Sequence, residues 1–300
     1  MYLCPNALTS IEKHIKPGVI VSLTRIEPPL HPDGPEKVLW HGGVEPEEFL
    51  EEALLKEIPK FSDSEKITEG IFAPWAFYVN DFQEIGGHDP LYAPQSKEDS
   101  DIFNRFQLNG VKFKQVWDGF VYHMTCRGSR RNVKDKAKNI YEDSPEWLEQ
   151  NARSTRNFIR KWGHFVTHDE YMKPIISPKY NIGLIVKNCN DSLIHALEPW
   201  ADTLYVDEGN IPTLIKNYIK NEQVNTIIDL NDRIKPYDNE KNCEILIDID
   251  GTTFAQEDYK ILMKLPEIIK DSGSIGRFAL NNLKVEIVQM NEYQKNLIKL

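Results

Sequence analysis

Apolar residues along the 300-residue chain fall into two alternating patterns. Spacings of three and four define one face of a helix, and short unbroken runs mark buried strands. Leu8, Ile11 and Ile15 keep the helical spacing, Pro17-Gly18 ends that helix, and Val19 to Leu23 follows as a buried-type strand. Pro46 through Ile58 predicts an amphipathic helix with Phe49, Leu50, Ala53, Leu54 and Ile58 on one side, after a Gly42-Gly43 loop. Further on, Ile102, Phe103 and Phe106 form an apolar stripe. Ser96 and Asp99 have capping-box spacing at its start, and Gly110 supplies the stop. Val111, Phe113 and a second run from Phe120 to Tyr122 predict strand, with His123 where the strand runs out.

From about Ser144 to Arg160 the pattern is a polar helix anchored by Trp147, Leu148 and Phe158, and Pro174 to Pro178 marks a boundary. Beyond it, short strands at Ile182 to Val186, Thr203 to Val206, Thr226 to Asp229 and Glu244 to Ile249 alternate with helices at Ser192 to Trp200, Pro212 to Lys220 and Gln256 to Lys270. That alternation predicts a mainly parallel sheet with helices packed on it, and Arg277 to Leu280 with Leu283 to Val288 predicts a closing hairpin through Asn281-Asn282. The expected organisation is a first domain over 1–125, a helical connector over 126–175 and a smaller α/β domain over 176–300.

A formal net charge of -10 argues against a nonspecific nucleic-acid binder, although Arg127, Arg130, Arg131, Lys134, Lys136 and Lys138 make a local basic run. The scattered Cys4, Cys126, Cys189 and Cys243 form neither a zinc pattern nor a disulfide framework. With no apolar run of membrane-spanning length and no cleavable signal, the expectation is a cytoplasmic protein.

Candidate chemistry concentrates between Gln83 and His123. Glu98 and Asp99 fall in the first turn of the predicted helix, where free N–H groups and the helix dipole favour ionised carboxylates, suited to accept protons. Asp101 and Arg105 sit one turn apart. Gly86 and Gly87 suit a tight turn, and Trp75 and Phe77 suit either a sugar-stacking wall or the core.

Gly86-Gly87-His88-Asp89, then Glu98-Asp99-x-Asp101 with Arg105 and Gly110, then a strand ending in His123, resembles the acceptor-side half of a family-two glycosyltransferase of the GT-A fold, over roughly the first 125 residues. The resemblance implies a GT-A-like, Rossmann-like domain and metal-assisted, inverting transfer of a sugar from a nucleotide-sugar donor to a hydroxyl of a carbohydrate acceptor. It implies Asp99 as general base with Glu98 beside it, and Trp75, Gly86, Gly87, Asp89 and Arg105 around the substrate. His123 is implied as a ligand to divalent Mn or Mg, lying with Asp99 on one shared cavity. In that family the first helix and strand follow a metal-binding D-x-D, so the resemblance implies either a fragment or split gene product, or a nucleotide half supplied from elsewhere, such as a partner chain. A noncatalytic carbohydrate- or protein-binding module is the alternative.

Asp248-Ile249-Asp250-Gly251-Thr252 in the second domain is similar to the nucleophile motif of haloacid-dehalogenase-like phosphatases. The same Asp248-x-Asp250, taken with Val206-Asp207-Glu208-Gly209 at an earlier strand end, also resembles the D-x-D and uracil-contacting turn of GT-A enzymes. On that reading the domain is a permuted or second copy of the nucleotide half, with Asp248 and Asp250 as metal ligands.

Overall fold

The computed structural model describes residues 1–30, 32–124, 143–209, 211 and 213–300. The basic run from Arg127 to Lys138, and Cys126, lie outside the described residues. The chain is mixed α/β and builds two six-stranded sheets.

In the first half the elements are β1 (Tyr2–Leu3), α1 (Ala7–His14), β2 (Val19–Glu27), β3 (Lys37–Leu39), α2 (Glu51–Phe61), β4 (Ile67–Thr68), β5 (Trp75–Ala76), α3 (Val79–Glu84), α4 (Glu98–Leu108) and β6 (Lys112–Tyr122). The spine of this sheet is the parallel pair β2 and β6, extended by β3 in parallel with β2 and by β1 antiparallel to β6. The predicted strand at Val19 stops too early at Leu23. All nine residues of β2 are buried, including Arg25 and Glu27, because the two charges pair with each other and with neighbours. The runs before and after Gly119 are one strand with a register shift opposite Leu23/Thr24. The helix expected from Pro46 is shorter. Pro46–Glu48 forms a single 3₁₀ turn and α2 begins at Glu51.

The helix α5 (Pro145–Trp162) is more than a connector. It starts on Ser144, whose hydroxyl accepts from the Trp147 N–H, and it buries Phe158, Ile159 and Trp162 together with Arg160 and Asn157. Arg160 is fully buried, and its guanidinium donates to Glu198 at 2.7 Å and Glu222 at 2.5 Å. Arg156 and Arg233 join the same carboxylates at 2.9 and 3.2 Å. These ion pairs clamp α5 to the second half of the chain.

The second half holds β7 (Ile182–Lys187), α6 (Asp191–Leu197), β8 (Thr203–Val206), α7 (Leu214–Glu222), α8 (Leu230–Arg233), β9 (Ile234–Pro236), β10 (Ile245–Asp250), α9 (Gln256–Met263), α10 (Leu265–Ser272), β11 (Gly276–Leu280) and β12 (Leu283–Ile287). The strand order is β11-β12-β10-β7-β8-β9, parallel from β10 through β9, with β11 and β12 as the antiparallel hairpin. The expected strand at Thr226 to Asp229 does not form. Ile227 is exposed, Asp229 caps α8 through the Asn231 N–H, and the third parallel strand is Ile234–Pro236 instead. The helix expected from Gln256 to Lys270 breaks at Lys264, where Pro266 opens α10.

Candidate active site

The helix α4 keeps its predicted stripe buried, with Ile102 and Phe106 in the core and Gly110 at φ +83° after its end. Its start differs from the capping-box expectation. Lys97 is the N-cap in left-handed geometry with no side-chain cap bond, and Ser96 donates its hydroxyl to Asn151 of α5 at 2.8 Å. A contact 55 residues away in sequence therefore aims the first turn.

Behind that turn lies a buried polar frame. Asp101, fully buried, accepts from Arg105 Nε at 2.8 Å and Trp162 Nε1 at 2.9 Å, with Lys161 Nζ at 2.7 Å. Arg105 gives its remaining nitrogens to the carbonyls of Ile85 and Gly87, both at 2.6 Å. Gly86 and Gly87 hold φ of +84° and +79°, a turn that side chains resist. Arg105, expected at the substrate, is thus turned wholly inward and shapes the glycine turn. Trp75 packs edge-on against Phe103 at 4.3 Å as part of the core beside α4. Asp89 accepts from the Leu91 N–H and pairs with Lys161 at 2.8 Å.

Asp99 and Glu98 stand in front of this frame, where two cavities meet. One, of about 360 Å³, is lined by both acids with Phe103, Asn104, Trp147 and His168. The other, of about 430 Å³, is lined by the same acids with His88, Asp89 and Tyr92. The Asp99 side chain is exposed at the cavities, yet the crowding of protein around it and the charge of Glu98 push it up to about 6, against the opposing pull of His88. The helix start was expected to favour the ionised form, but for Asp99 burial and the like charge outweigh it. One oxygen of Glu98, Oε2, is buried with no hydrogen-bond partner.

His123 follows the last residue of β6, its N–H bonded to the Ile26 carbonyl at 2.9 Å. Its Nδ1 lies 2.8 Å from Oε1 of Glu27, which Arg25 also approaches at 2.9 Å, while Lys37 lies 3.6 Å from Oε2. Burial alone would raise the Glu27 carboxyl, but the His123 hydrogen bond and the charges of Arg25 and Lys37 hold it down to about 2. His123 is absent from the lining of both Asp99 cavities, so the expected shared cavity is not formed. The connection is indirect. The Arg25 guanidinium lies 3.6 Å over the ring of Phe72, a wall residue of the Asp99 cavity that Trp147 also lines.

Among the described residues no three His, Cys, Asp or Glu side chains converge on one point. His123 does not fit a divalent metal site: its Nδ1 is tied to Glu27, a carboxylate already paired with Arg25 and Lys37, and no second ligand stands beside its Nε2 among the described residues. Asp248 and Asp250 are exposed on one face of β10, and Asp250 Oδ1 already accepts from Asn188 Nδ2 at 3.0 Å and from the Thr252 N–H at 2.9 Å. Sequence reasoning missed Trp147 and His168 as cavity wall, and Lys161 and Glu27 as partners of Asp101 and His123. None of the four carried a local signal, Glu27 lying beyond the apolar run that ends at Leu23.

No protein-family model, curated protein or solved structure matches the chain.

Proposed function

We propose that the chain carries the acceptor side of a glycosyltransferase of GT-A type, moving a sugar from a nucleotide-sugar donor to a hydroxyl of a carbohydrate acceptor. The observation that carries this reading is Asp99, an accessible carboxylate at the meeting of two cavities with its pKa pushed up to about 6. A general base works best when its pKa lies near the operating pH, so that it is ionised yet basic enough to take a proton. Asp99 accepts the proton of the attacking hydroxyl as that oxygen bonds to the anomeric carbon in a single, inverting displacement. Glu98 keeps Asp99 basic by like charge, and the Asp101–Arg105–Lys161 frame keeps it in place. Trp147 and Phe103 line the cavity in which the acceptor ring would sit.

A divalent Mn or Mg, when bound, supplies positive charge to the departing nucleoside diphosphate. The described residues build no site for it: His123 is a single nitrogen beside a carboxylate already paired with Arg25 and Lys37, and Asp248 and Asp250 are exposed with no third ligand beside them. The apolar and aromatic cavity wall also favours a second reading, a noncatalytic carbohydrate-binding module. Titration with nucleotide sugars in the presence and absence of Mn, followed by transfer assays on Asp99→Asn, separates the two. Donor binding with transfer abolished in Asp99→Asn is expected; acceptor binding with no donor binding and no transfer by the intact chain would establish the module.

A further inference from the structure

Asp99 is the second residue of α4, so the direction of that helix's first turn decides which way its carboxyl points. The two residues that lead into the turn are strained. Ser96 and Lys97 hold φ of +77° and +72°, left-handed geometry that residues with a Cβ resist, and α4 has no side-chain cap bond to secure it. What holds them is α5. Asn151 Oδ1 accepts from the Ser96 hydroxyl at 2.8 Å and from Lys97 Nζ at 2.9 Å. Just upstream, the Gln95 carbonyl accepts from Gln150 Nε2 at 2.9 Å and Ser154 Oγ at 3.1 Å, and the Ala93 carbonyl accepts from Arg153 at 2.9 Å. Trp147, one turn before Asn151 on the same helix face, lines a cavity that Asp99 also lines.

We propose that Asn151 is the positioning residue of Asp99: its side-chain oxygen keeps Ser96 and Lys97 left-handed, and that pair delivers the carboxylate to the cavity walled by Trp147. One face of α5 thus serves both as cavity wall and as anchor for the turn of the base, although Asn151 itself lines neither cavity. This inference rests on the reading of Asp99 as the base.

Steady-state kinetics of sugar transfer, paired with amide hydrogen exchange on the full chain, test it. Asn151→Ala is expected to lower kcat by about 10- to 100-fold, with the acceptor KM within about threefold of wild type. The Asp101 amide, bonded to the Lys97 carbonyl at 2.9 Å, is expected to exchange about 10-fold faster, while amides in the second half of α4 keep their rates. Asn151→Asp retains an accepting oxygen and is expected to retain both wild-type readouts. Ser96→Ala and Ser96→Gly both lose the hydroxyl, but glycine takes a left-handed φ without strain, so Ser96→Gly is expected to keep the higher kcat. Unchanged kcat and Asp101 exchange in Asn151→Ala overturn the proposal, as does exchange that rises throughout the chain with kcat unchanged. A Ser96→Ala chain no slower than Ser96→Gly also overturns it, and that comparison does not depend on Asn151→Ala folding. An intact chain that transfers no sugar overturns the transferase reading instead, and faster Asp101 exchange in Asn151→Ala then still upholds the hold of Asn151 on the turn.

Discussion

Asp99 and Glu27 are carboxylates of the same half-chain set in opposite directions. Asp99 opens to a cavity and is pushed up to about 6 by burial and by the charge of Glu98. Glu27 is sealed at the end of β2 among Arg25, Lys37 and His123, and is held down to about 2. Burial raises both, so burial alone does not separate them. The sign is decided by which charges the fold places alongside, and it sorts the two groups into a proton acceptor and a fixed anion.

Removing each group should break this contrast in different assays. Asp99→Asn is expected to lower the transfer rate by about 10²–10⁴-fold with acceptor binding retained, the range for loss of a general base; rate assays paired with calorimetric titration check both halves. Glu27→Ala should act on stability, by about 3 kcal/mol in urea unfolding, the low end for breaking a buried ion pair because Glu36 remains near both cations.

The pH dependence of stability sharpens the comparison. Glu27 binds its proton more weakly folded than unfolded, so its contribution is present above its ordinary 4.5 and is lost as pH falls toward about 2. Asp99 has the reverse sign: its folded value lies above its ordinary 3.8, so its ionisation opposes folding, fully above about 6 and not at all below 3.8. Melting temperatures should therefore show Asp99→Asn more stable than the wild type above pH 6, with the gap closing in acid; a constant gap would refute the raised value. The smallest effect is expected for Trp147→Ala, a weakening of acceptor binding by about 1 kcal/mol with kcat little changed, read from KM.

Local pattern made α4 legible, because its stripe and its closing glycine are neighbours in the chain. The aim of its first turn was not, since Ser96 bonds to Asn151 and the frame behind it reaches Lys161 and Trp162. The same limit hid the end of β2. A run that leaves apolar residues at Thr24 reads as finished, yet Arg25 and Glu27 stay buried because each neutralises the other. At Thr226 to Asp229 the apolar pair invited a strand, but the capping bond of Asp229 turned the chain into α8 and moved the strand to Ile234. The cavity wall joins Phe103 to Trp147 and His168, and no spacing along the chain encodes such a juxtaposition.

The most direct test of Asp99 as the base is the pH profile of kcat/KM for sugar transfer, which reports the groups of the unliganded chain. The wild-type rate should rise with pH through an apparent pKa near 6 and level off above it, and Asp99→Asn should lose that limb. A limb that survives in Asp99→Asn would assign the base to another group and contradict the account.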